Sequence, residues 1–141
     1  MRNTTRNLNQ TLTTNTDSTT SEALWQEINA YFEAARKRYG EVRARWCSDA
    51  QISPISAIAR AEGVVAAQAE HDIWLGVVTE TEDHAPRVAL ARHLQYCRRH
   101  VRSFLDSTST SPFANAVDRV QAETYLRQIE QMESLAKRYG V

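Results

Sequence analysis

His93, Cys97 and His100 recur at steps of four and three, a spacing that lines two imidazoles and a thiol along one flank of a helix and uses ligand types suited to zinc. The set lacks a fourth ligand, and on a helix the two histidines stand two turns apart, about 10 Å, too far to share one ion easily. Cys97 also falls inside an apolar stripe, where a free cysteine packs as a small hydrophobic side chain. Packing, with no bound metal, is therefore the expectation for this trio. Glu80-Thr81-Glu82-Asp83-His84 crowds carboxylates beside an imidazole, groups that can hold a divalent cation or exchange protons. A helix start follows directly, so their expected task is to interact with the unpaired amides and dipole of its first turn.

Other catalytic constellations are missing from the sequence. No Glu is followed three residues later by His, as a di-iron bundle centre requires, and Glu80-x-x-Asp83 precedes Glu130-x-x-Glu133, the reverse of the order used by all-helical nucleotide pyrophosphatases. The chain's four glycines form no phosphate-cradling loop, and no Ser or Cys stands beside a base and an orienting acid. The expectation is a non-enzymatic protein without a cofactor.

What the sequence does offer is segregated charge. The formal total is zero, from 17 basic and 17 acidic residues, so no whole-molecule field draws the chain to nucleic acid or an anionic membrane. Locally the picture differs. Residues 61–84 hold six acids and no Lys or Arg, while residues 85–105 hold five arginines and no acid. Within the basic stretch Arg92, Gln95, Arg99 and Arg102 recur at steps of three, four and three, opposite a leucine stripe at about 100° per residue. Guanidinium groups one turn apart can follow a line of anions, so this ridge is a candidate surface for an acidic protein partner. Trp25, Arg36 and Arg43 share a flank of the preceding long helix, and exposed Trp and Arg are residue types that dominate protein interfaces. The functional expectation is a small regulator, adaptor or inhibitor that docks these residues on another protein. The alternative is a nucleic-acid-binding module that uses the same ridge, assisted by Arg2 and Arg6. A homo-oligomer is left open.

Four helices must position these side chains. The chain's three prolines, Pro54, Pro86 and Pro112, each head a run of apolar residues at helical spacing, Pro54 and Pro112 behind a capping serine. Ser21 is the expected N-cap of the first helix, whose stripe runs through Leu24, Ile28, Tyr31, Ala35, Tyr39, Val42 and Trp46, with Gly40 as a point of weakness. The second run, to about Thr79, is apolar over more than half its circumference, as a central helix would be; Ile73 and Val77 mark one side, Trp74, Leu75 and Val78 another. The third buries Leu90, Leu94, Cys97, Val101 and Leu105, and the fourth Ala122, Tyr125, Ile129, Met132 and Ala136. Lys-Arg-Tyr-Gly, a helix-stop signal, occurs at 37–40 and again at 137–140.

Short links between the runs give an all-α, antiparallel up-and-down four-helix bundle over residues 21–141. Residues 1–20 are mostly Thr and Asn and are expected to form a disordered tail. Cys47 and Cys97 fall about 20 Å apart along such a bundle, which excludes a disulfide. No stretch is apolar enough to span a bilayer and the N-terminus lacks the apolar centre of a secretory signal, so a cytoplasmic protein without membrane contact is expected.

Overall fold

The computed structural model describes the backbone of residues 2–52, 54–106 and 111–141, together with their side chains except those of residues 2–18, 49–52, 54–59 and 113. Four helices follow one another: α1 (Arg2–Ile52), α2 (Pro54–Glu80), α3 (Pro86–Leu105) and α4 (Pro112–Arg138). No strand occurs among the described residues. The expected tail over residues 1–20 falls largely on side chains outside the described set; its backbone from Arg2 continues α1, so Ser21 lies inside that helix and not at its start.

Successive helices are antiparallel. Arg38 pairs with Glu70 and Tyr31 stacks on Trp74 between α1 and α2, while Arg98 pairs with Glu133 and Arg87 reaches Gly140 between α3 and α4. In each case the residue numbers rise on one helix as they fall on the other. α2 packs against all three other helices, which explains its wide apolar circumference. Among the described residues the backbones of α1 and α4 do not come close, and these two helices are tied by side chains. Arg138 donates to Glu27 at 2.7 Å, and Tyr139 and Arg138 together hold the Glu27 carboxyl below its usual range.

The core is built from the expected stripes. Leu24, Ile28 and Ala35 of α1 meet Ile73, Trp74 and Val77 of α2, Leu90, Leu94, Cys97 and Val101 of α3, and Tyr125, Ile129, Met132 and Ala136 of α4. Trp74 is fully buried, and its indole N–H donates to Oε1 of the buried Gln128 at 2.8 Å, so the large ring enters the core without an orphaned donor. Two expected core residues are corrected. Leu75 is 40% exposed, because its neighbour Trp74 takes the core position and the next side chain on a helix points about 100° away. Leu105 is 60% exposed, being the last residue of α3, where the helix ends.

Helix ends follow local chemistry. Ser111 caps α4 by accepting from the amide of Ala114, with Pro112 in the first turn. At the other end Gly140 adopts φ 66°, its amide donates to the Lys137 carbonyl, and the Val141 amide donates to the Ala136 carbonyl at 2.8 Å. This is the Schellman closure, and glycine is the residue that enters the left-handed region without a Cβ clash. Gly40, after the same Lys-Arg-Tyr, lies within unbroken α1. Beyond it Val42 and Trp46 are half-buried and keep the helix facing α2.

Candidate functional site: the α2–α3 seam and the arginine ridge

α3 carries its polar residues on a face that the core stripe leaves outside, and Arg92, Gln95, Arg99 and Arg102 are all exposed there. Their partners divide them. Arg92 donates to Glu80 at 3.0 Å and Arg98, beside the ridge, to Glu133 at 2.9 Å. Arg99 reaches only the carbonyl of Gln95 on its own helix, at 3.5 Å, and neither Arg99 nor Arg102 forms an ion pair among the described residues. On α1, Arg36 is paired with Glu33 at 2.8 Å, Arg43 is exposed without an ion pair among the described residues, and Trp25 is 39% exposed. Trp25 and Arg43 stand 18 residues apart, about 27 Å on one helix, so a single small contact cannot cover both. Phe32, one turn before Arg36, packs on His71 of α2 with ring centroids 5.8 Å apart. Phe113, another off-stripe aromatic, has its side chain outside the described residues.

Glu80 explains the acidic cluster differently from its sequence. The N-cap of α3 is Ala85, with no side-chain cap and no acid in the first turn, so the carboxylates do not cap the helix. Glu80 instead ends α2 and bridges to α3 through Arg92. Its second oxygen lies 3.9 Å from Nδ1 of His93.

His93 is only 7% exposed, and its ring packs against Gly76. A Cβ at residue 76 would sit 2.2 Å from His93 Cε1 and 2.6 Å from Nε2, so alanine has no room and the α2–α3 approach depends on glycine. Nε2 is buried with no hydrogen-bond partner among the described residues. Burial pushes the His93 pKa down, with the Glu80 carboxylate pulling partly back, and the imidazole is accordingly neutral near neutral pH.

The zinc-like trio is dispersed by packing. The rings of His93, Tyr96 and His100 form a ladder at 5.2 and 5.3 Å, so Tyr96 stands between the two imidazoles. His100 and Phe104 go on to meet Tyr125 of α4. Cys97 is fully buried, and burial lifts its thiol to about 12, which keeps it protonated and removes it from metal or nucleophilic chemistry. No cluster of three metal-ligating side chains occurs among the described residues.

Leu75 and the 48%-exposed Tyr96 face each other across the seam beside Gly76, forming a shallow groove between α2 and α3 with Asp72 and Glu80 on its α2 side. The sequence signal was the short step from Gly76, a small residue in an apolar run, but nothing in a single sequence pairs it with His93. None of the described helices is long and apolar enough to cross a membrane. No protein family, curated protein or solved structure matches the chain in comparisons with each.

Proposed function

We propose that this protein is a non-enzymatic helical adaptor or regulator that docks an acidic segment of a partner protein on the outer face of α3. The observation that carries this reading is the contrast among its arginines. Arg36, Arg38, Arg92, Arg98, Arg119 and Arg138 each have a carboxylate of the same chain, whereas Arg43, Arg45, Arg87, Arg99, Arg102 and Arg127 have none among the described residues, and of these Arg99 and Arg102 are the pair that stands one turn apart on one exposed helix face. Forks left without an internal anion can take carboxylates from outside, and their fixed spacing along α3 selects for acids one turn apart. Binding of this kind gains mainly in association rate and specificity and weakens with salt.

The test uses a polyglutamate peptide and a duplex oligonucleotide as probes at two salt concentrations. The adaptor reading expects the peptide to bind at low salt and R99E/R102E to weaken it by about tenfold or more, as loss and reversal of two charge contacts implies. Tighter binding to the duplex, lost steeply with salt, would favour the nucleic-acid alternative instead. Peptide binding unchanged by the double reversal would remove the ridge from the account.

A further inference from the structure

The α2–α3 seam has the composition of a two-fold interface. Its centre is apolar, with Leu75 and Tyr96 both about half exposed beside Gly76. Its two sides carry opposite charge. Among the described residues, Asp72 on α2 is exposed and bonded only to the adjacent His71, and Arg99 on α3 is exposed and bonded only to its own helix carbonyl.

Register places the members of each pair within about 3 Å of one another in height, an offset that side chains span. Gly76 packs on His93, and α2 and α3 are antiparallel, so the two helices can be measured from that contact. Moving away from the α2–α3 turn, Asp72 lies about 6 Å beyond Gly76 and Arg99 about 9 Å beyond His93, while Leu75 and Tyr96 lie about 1.5 and 4.5 Å beyond, all at 1.5 Å per residue.

A half-turn about an axis running along the seam exchanges the two helices and preserves height. Applied to a second copy, it sets Leu75 over Tyr96 of that copy and Asp72 opposite its Arg99, and repeats both contacts by symmetry. A partner of a single charge sign would satisfy one side of the seam and oppose the other. A second copy satisfies both. We therefore propose that the α2–α3 seam is the interface of a symmetric homodimer held by a Leu75–Tyr96 centre and reciprocal Asp72–Arg99 pairs.

Two helices about 10 Å wide in contact over about 30 Å give about 600 Å² per copy, the low end for a specific interface, so association in the micromolar range is expected. The proposal stands apart from the acidic-partner reading, although both use Arg99.

Sedimentation of the protein from about 10 µM to about 1 mM tests it, a range that brackets micromolar association. The expected result is an average mass that rises from 16.0 kDa towards twice that value. D72R, which sets arginine against Arg99, and R99E, which sets glutamate against Asp72, should each weaken association by about tenfold or more. The double variant D72R/R99E restores opposite signs across the axis and should associate like the original. It should not recover polyglutamate binding, so the two readings fail separately. A mass that stays monomeric throughout, single variants that associate normally, or a double variant that remains monomeric would each overturn the dimer.

Discussion

At the scale of single residues, His93 is hemmed in on several sides. It is neutral, nearly buried, pressed on Gly76 and next to Glu80 and Tyr96, with one ring nitrogen unpartnered among the described residues. Its folded pKa is depressed, so the unfolded chain, with a value of about 6.5, takes up a proton first as pH falls. Stability from this group is complete above about pH 6.5, declines as pH drops through that value, and levels off below the folded pKa. His93→Phe keeps a flat ring against Gly76 and removes the titration. The melting temperature of the original protein should therefore fall more between about pH 7.5 and pH 5 than that of the variant, as thermal melts would show. Equal slopes would mean that His93 takes up its proton as readily in the fold as in the unfolded chain. None of this was legible in the sequence. Spacing sets the two histidines two turns apart with Cys97 in the buried stripe, an arrangement for packing, but it neither pairs His93 with Gly76 nor stacks Tyr96 between the two imidazoles.

At the scale of elements, identical tetrapeptides meet opposite fates. Lys-Arg-Tyr-Gly closes α4 at 137–140, yet α1 runs straight through it at 37–40. Local chemistry permits a stop at both, and the apolar residues that follow decide between them. Val42 and Trp46 continue the stripe against α2, while Val141 supplies the amide that completes the Schellman closure. Gly40→Ala meets no atom within 4 Å and should stabilise the protein by about 0.5–1 kcal/mol through helix propensity. Gly140→Ala must hold a positive φ and should cost about 1 kcal/mol, measurable by urea unfolding of both variants. The helices themselves were readable because proline, serine and a 3.6-residue period act locally. Leu75 and Leu105 were misplaced because a stripe read from sequence has neither a fixed width nor a fixed end. The acids before α3 looked like caps because sequence cannot show that Glu80 turns back to Arg92.

At the scale of the whole molecule, a zero net charge conceals an internal pairing of unequal completeness. Carboxylates on α1, α2 and α4 neutralise arginines on α1, α3 and α4 across the α1–α2, α2–α3, α3–α4 and α1–α4 pairs, which adds little stability at such exposed sites. Among the arginines that this pairing leaves without a carboxylate among the described residues, Arg99 and Arg102 stand one turn apart on one helix face, and the ridge pattern in the sequence anticipates their exposure but not which of its members is occupied.

The most direct measurement is an amide chemical-shift titration of isotope-labelled protein with polyglutamate. The account predicts shifts confined to α3 around Gln95–Ser103, vanishing with salt and in R99E/R102E. Shifts centred on Trp25–Arg43 of α1 instead, or none anywhere, would contradict it.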